Sequence, residues 1–137
     1  NRPTLRPAMR LRAKLAQVKQ VPAGGFTGYG RTYRFDRDSR IGLVPVGYAD
    51  GFWRSWSNEG VMKVGGGFAP VRGLVSMDQA VIDLTDLPAA RLGDEVEIIS
   101  PEPGDLHSVQ NLARRTGTIP YEIICRIGHR ARRVAVE

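Results

Sequence analysis

Val61-Met62-Lys63-Val64 runs into Gly65-Gly66-Gly67 and leaves through Ala69–Leu74. Two apolar runs on either side of a glycine turn read as a β-hairpin. Working outward, Arg40–Val46 is a further strand, and its Pro45 marks an edge or an end, because proline cannot donate to a ladder. Residues 9–15 place apolar side chains at every second position, the period of a strand with one wet face. Ala80–Leu84 and Val96–Ile99 add two more strands. A short helix is expected between Ser108, a capping residue, and Gly117, which can end it in the left-handed conformation. A last strand is expected around Ile123–Ile127 and Arg133–Val136. The fold class is therefore mostly β: a small antiparallel β-barrel or sandwich with one or two short helices.

The chain has 137 residues, one domain by length. Residues 1–8, with Pro3 and Pro7, read as a connecting segment and 9–137 as the domain. The start at Asn1 instead of Met is expected of a piece cut from a longer chain. No apolar stretch approaches the ~18 residues of a membrane helix, and no secretory signal pattern follows Asn1. The single cysteine, Cys125, excludes an internal disulfide and any multi-cysteine zinc site, and it fits a cytoplasmic setting.

Lys and Arg number 20 against 14 acidic residues, a net charge of +6. The charge is blocked along the chain: residues 1–34 carry eight bases and no acid, 35–113 carry six and twelve, and 114–137 carry six and two. Two basic ends around an acidic middle point to internal pairing. Seventeen of the bases are arginine, whose fork bonds carboxylates two at a time. Charge alone does not carry a nucleic-acid reading, since aromatics interleaved with bases on a strand face are missing.

Few side chains offer conventional catalysis. His107 precedes the helix cap and reads as solvated, and His129 lies in an Arg-rich surface stretch. Cys125, in Ile123-Ile124-Cys125, reads as a buried structural thiol. No metal site is expected, and Gly65-Gly66-Gly67 lacks the lysine and helix of a phosphate loop. What remains is tyrosine among glycines or in odd loops: Gly28-Tyr29-Gly30-Arg31-Thr32-Tyr33, Gly47-Tyr48-Ala49-Asp50-Gly51 and Thr118-Ile119-Pro120-Tyr121-Glu122, with Ser76-Met77-Asp78-Gln79 just after a strand. Glycine lets a backbone approach a ligand closely while a phenol projects. Each loop by itself also reads as a plain turn with a half-buried tyrosine.

Taken in order, these pieces resemble the C-terminal β-domain of the alanine racemases, which use pyridoxal phosphate. The resemblance runs from about Leu11 to Val134 and includes Ala13-Lys14-Leu15, Val71-Arg72-Gly73, Asp83-Leu84-Thr85-Asp86 and Gly93-Asp94-Glu95-Val96. It implies that a full subunit places a (β/α)₈ barrel before this domain and that a barrel lysine holds pyridoxal phosphate as a Schiff base. It further implies a homodimer, in which this domain completes the site in the barrel of a second subunit. The reaction would interconvert L- and D-alanine.

By the same resemblance, Tyr29 is the catalytic base on one face of the substrate, with the lysine on the other. A free phenol titrates near ~10, so it can act at neutral pH only on a proton acidified by the cofactor and with positive charge nearby. Met77 is the substrate-binding residue, through its backbone N–H. Tyr121 bonds the cofactor phosphate. Tyr48 and Arg54 line the substrate entrance, where Asp50 and Asp78 look like structural partners.

The sequence departs from the family pattern where Gly73-Leu74 replaces Gly-Arg, where Ser76 replaces a common Cys, and where Arg130-Ala131-Arg132-Arg133 replaces Arg-Val-Pro-Arg. Leu74 opens the alternative of a racemase for serine or for several small amino acids. The only lysines are Lys14, Lys19 and Lys63, none in the family's cofactor-anchoring context, and the chain has no room for a barrel of about 250 residues. The isolated chain is therefore expected to be inactive, binding neither nucleic acid nor membrane. A purely structural dimerisation domain and a basic nucleic-acid-binding β-barrel are the remaining readings from other classes.

Overall fold

The computed structural model describes residues 2–136. Nine strands and two helices follow in order: β1 Leu11–Lys14, β2 Gln17–Val21, β3 Phe26–Thr27, β4 Tyr33–Arg34, β5 Ser39–Val44, β6 Val61–Val64, β7 Gly67–Pro70, β8 Ala80–Asp83, β9 Glu95–Ile99, α1 Val109–Thr116 and α2 Pro120–Cys125. One sheet has the order β1-β9-β6-β7 and a second β2-β5-β8, while β3 and β4 form a separate hairpin. Every strand pairing is antiparallel. The arrangement is sandwich-like and does not close into a barrel.

The two sheets are joined where the chain turns corners. Leu15 N–H donates to Asp94 O (2.9 Å) beside the first sheet, and the next amide, Ala16 N–H, donates to Leu43 O (2.9 Å) in the second. The Leu15 side chain plugs the core over Gly42, where a Cβ would lie 2.6 Å from Leu15 Cδ2. At another corner the chain after β7 bridges β8 through Val71 and Ile82. Val44, Met62, Val64, Ile82, Leu84, Val96 and Ile98 are buried between the layers. Burying such side chains is worth about 1.5–3 kcal/mol each, which is what holds sheets this short together.

The β6–β7 hairpin turns on two residues, Gly65 and Gly66, with φ of 58° and 79°. That is the geometry that matches strand twist in a two-residue loop, so Gly67 already belongs to β7. In α1, Ser108 Oγ accepts from Asn111 N–H at 3.2 Å, and Gly117 closes the helix at φ 68°. Three ion pairs tie the basic ends to the acidic middle, Arg10–Glu97, Arg12–Glu95 and Arg130–Asp50, whereas Arg37–Asp86, Arg72–Asp83 and the i,i+4 pair Arg126–Glu122 form within a single block.

Three sequence expectations are corrected. Ile123–Ile127 is not strand: α2 covers Pro120–Cys125, with Pro120 presetting the first turn after extended Ile119. Residues 133–136 belong to no strand. Cys125 is exposed, because α2 turns Ile123 inward and carries the thiol to the outer face. His107 is fully buried, its Nε2 2.9 Å from Glu97 Oε1 and its ring edge against Phe68. The β9 carboxylate that meets Nε2 lies ten residues earlier, so no local motif announces the pair; the buried Nδ1 has no partner among the described residues. His129 is exposed, as read.

Candidate functional site

Tyr29 stands at the tip of the β3–β4 hairpin, in a single 3₁₀ turn over Tyr29–Arg31. Tyr29 is 75% exposed. Three of the four residues from 28 to 31 have positive φ: Gly28 (80°), Gly30 (70°) and Arg31 (53°). Arg31 lies over the Phe26 ring at 5.5 Å. The hairpin leans on the segment after β7. A Cβ on Gly28 would lie 2.7 Å from Leu74 N, and one on Gly73 would lie 2.9 Å from Thr27 O, so only two glycines allow the backbones to meet here. Arg72 holds the other side, its guanidinium 4.5 Å from the Tyr33 ring centre.

The second loop, Gly47–Gly51, clasps Ser76–Asp78 in the same way. A Cβ on Gly47 would lie 2.2 Å from Ser76 O. Tyr48 N–H donates to Ser76 O (3.0 Å) and Ala49 N–H to Met77 O (2.8 Å). Among the described residues the Met77 N–H has no partner, and Met77 is 60% exposed. Beneath the loop, Asp50 is buried. Its Oδ2 accepts from Gly47 N–H (3.0 Å), and Arg130 closes on it with Nε to Oδ1 (2.7 Å) and Nη2 to Oδ2 (2.5 Å). The Arg130 contact holds the Asp50 carboxyl below the ordinary carboxylate range, against the opposing effect of burial, with help from the Gly47 amide. Arg130 Nη2 also donates to Pro45 O (3.1 Å) and Asp78 O (3.2 Å). Asp78 therefore bonds through its backbone carbonyl, while its carboxylate acts on Arg130 only by its charge.

The same loop seats α2. Gly128 N–H donates to Asp50 O (2.9 Å), and a Cβ on Gly51 would lie 2.5 Å from Arg126 O. This fixes the helix whose first turn carries Tyr121. Glu122, at that turn, is held below its usual pKa, first by the Thr118 hydroxyl and then by Arg126.

Two open recesses flank the motifs. One, of about 290 Å³, is lined by Tyr29, Leu74, Ser76 and Gln79, with Thr27 and Val81. The other, of about 200 Å³, brings Tyr48 and Arg54 together with Trp53 and Arg126, whose guanidinium lies 4.9 Å from the Trp53 ring centre. Met77 lies under the Tyr48 loop, and Tyr121 lines neither recess. Lys14, Lys19 and Lys63 are exposed on β1, β2 and β6. Arg130 was not singled out by its motif position as a partner for Asp50, since eighty residues separate them. Glu97, Asp105 and His107 also gather on one side, but Glu97 bonds Arg10 and His107, and Asp105 accepts from Ser100.

Comparison with known proteins gives a consistent picture. The sequence model described as "Alanine racemase, C-terminal domain" matches residues 8–135. Alanine racemase 1 of Clostridium acetobutylicum is 39% identical over 137 residues, covering 100% of this chain and 36% of that protein. The alanine racemase from D-cycloserine-producing Streptomyces lavendulae superposes with a TM-score of 0.88 at 44% identity, covering 97% of this chain and 35% of that one. The alanine racemase from Bartonella henselae with covalently bound pyridoxal phosphate superposes with a TM-score of 0.85 at 33% identity, covering 93% and 34%. The chain thus spans about a third of the length of the relatives it matches.

Proposed function

This chain belongs to the alanine racemase C-terminal domain family, and on that footing we propose that it completes the active site of an enzyme interconverting L- and D-alanine. In this reading residues 1–8 connect the domain to a (β/α)₈ barrel, and two full subunits pair so that each domain serves the partner's barrel. We assign the enzyme to the cytoplasm. No helix among the described residues is long and apolar enough to cross a membrane.

The observation that carries the reading is the Met77 amide. Its neighbours are committed, Ser76 O to Tyr48 and Met77 O to Ala49, while its own N–H has no partner among the described residues. An amide left unpaired between two hydrogen-bonded carbonyls is a ready partner for a substrate carboxylate. Tyr29 Oη then takes the α-proton of L-alanine and returns one in the reverse direction. Tyr48 and Arg54, which share a recess, form the wall past which a zwitterion would enter.

The residues present fit pyridoxal phosphate in part. Tyr121 offers an exposed hydroxyl of the kind a phosphate accepts, but no lysine lines either recess, so the covalent anchor belongs to the barrel domain. Bound pyridoxal phosphate supplies an electron sink for the charge left when the α-proton departs. This domain contributes the proton acceptor, the carboxylate donor and one phosphate contact.

A broader substrate range is the second reading, favoured by Leu74, which lines the same recess as Tyr29. Chiral analysis of alanine and serine incubated with the full-length protein and pyridoxal phosphate tests both. Racemisation of alanine supports the first reading, comparable rates on serine the second, and no activity on either overturns the proposal.

A further inference from the structure

Among the described residues only two that are not glycine have positive φ, Arg31 (53°) and Asn58 (60°). Arg31 lies in the Tyr29 turn itself. Asn58 lies 27 residues after Arg31, at the surface after the 3₁₀ turn Arg54–Trp56. A left-handed backbone at a non-glycine residue is unfavourable, although asparagine tolerates it better than most, and it persists where surrounding structure determines it. Here the determining contact is visible. Asn58 Oδ1 accepts from the buried Gly73 N–H at 2.6 Å. One residue earlier, Ser57 Oγ accepts from Val75 N–H at 2.8 Å. Two adjacent side chains thereby peg both sides of Leu74.

Gly73 is the residue against which the Tyr29 hairpin rests, with Gly28 and Thr27 packed on it closer than any side chain would allow. We propose that Asn58 is a positioning residue for Tyr29, acting through Gly73 and Gly28 to fix the height of the phenol over the substrate. This rests on the reading of Tyr29 as a base. The chain of contacts is short and entirely backbone beyond the Asn58 amide, so little in it can adapt. Without the Oδ1 acceptor a water can satisfy the Gly73 N–H, but a water is not tethered to the chain and does not hold the segment in place. A misplacement of about 1 Å at a reacting group lowers turnover by as much as ~100-fold.

The test uses the full-length enzyme with Asn58→Gly and Asn58→Asp. Glycine accepts the left-handed backbone without strain but removes the acceptor, whereas aspartate keeps an oxygen at the same place. For Asn58→Gly we expect solvent deuterium uptake from L-alanine to fall by ~10-fold or more, with uptake from D-alanine little changed. The loss should fall on kcat and spare KM. Cofactor absorbance and melting temperature should stay near wild type, and Asn58→Asp should restore the L-side rate. Hydrogen–deuterium exchange of residues 26–34 should quicken in Asn58→Gly and not in Asn58→Asp.

Equal losses for both enantiomers, no loss at all, or unchanged exchange in residues 26–34 would each overturn the assignment. Tyr29→Phe run alongside separates the two ideas. If Tyr29→Phe abolishes L-side uptake while Asn58→Gly leaves it intact, Asn58 is not a positioning residue and the base stands. If Tyr29→Phe itself spares the L side, the base reading fails, and this inference falls with it.

Discussion

The Asp50 carboxylate takes both Nε and Nη2 of Arg130, eighty residues further along the chain, at 2.7 and 2.5 Å. The Asp50 side chain is 8% exposed and that of Arg130 is 55% exposed, so the pair plugs the underside of the loop carrying Tyr48 and opens to water on one side. Arg133 continues the tie, donating to Ile127 O at 2.9 Å. Of the motif Arg130-Ala131-Arg132-Arg133, the two outer arginines make the contacts that hold the end of the chain.

This pair sets a pH dependence. Asp50 ionises more readily folded than unfolded, chiefly because of Arg130. Its stabilisation is complete above the unfolded value of 3.8 and is lost as pH falls through the lower native one. Asp50→Asn should therefore destabilise the protein at neutral pH by about 1–3 kcal/mol. The gap to wild type should narrow on acidification below the ordinary carboxylate range. Denaturant unfolding of both proteins across pH checks this; a gap that does not change with pH would leave Asp50 with a packing role only.

Gly47→Ala should act by overlap alone, since its backbone is extended at φ −149° and imposes no strain on alanine. The added methyl meets Ser76 O, Met77 C and Asp78 N, all backbone atoms unable to swing aside. We expect a loss of about 3 kcal/mol and, in the full-length enzyme, a raised KM for alanine through displacement of the Met77 amide. Gly104→Ala, with nothing within 4 Å of its Cβ, is the matched control and should stay within about 0.5 kcal/mol of wild type. Thermal unfolding of both variants decides it.

Much of the fold was legible because strand signals are local. Alternation and the triglycine Gly65-Gly66-Gly67 located β1 and the β6–β7 hairpin, and a serine–glycine bracket located α1. α2 was misread because Ile123-Ile124-Cys125 is an apolar run with the composition of a strand. The signals that outweigh it are Pro120 at the first helical position and Glu122 in the first turn. β2 was missed because its burial alternates poorly. The site loops were legible as motifs, but their supports were not. Asp50–Arg130, His107–Glu97 and Asn58–Gly73 are tertiary contacts, and nothing in residue spacing announces them.

Leu74 walls the recess that contains Tyr29. Leu74→Ala should widen it and raise kcat/KM for serine relative to alanine in the full-length enzyme by roughly tenfold. Competition between the two amino acids, followed by chiral chromatography, measures the ratio. An unchanged ratio removes Leu74 from substrate choice.

The isolated chain should hold no pyridoxal phosphate through dialysis, because its three lysines are exposed on strands away from the motif loops. Absorbance of the dialysed protein should show no cofactor band, and alanine should keep its configuration. Racemisation by this chain alone would mean that the missing groups are not needed.

The central claim is that Tyr29 moves the proton on the L face. Tyr29→Phe keeps the ring at the hairpin tip and removes only the hydroxyl, so folding and cofactor binding should persist in the full-length enzyme. The direct measurement is solvent deuterium uptake into L-alanine and D-alanine, followed separately. Uptake from L-alanine should fall by ~10²–10⁴-fold, the usual contribution of a positioned general base, while uptake from D-alanine is largely retained. Equal and modest losses for the two enantiomers would contradict the account.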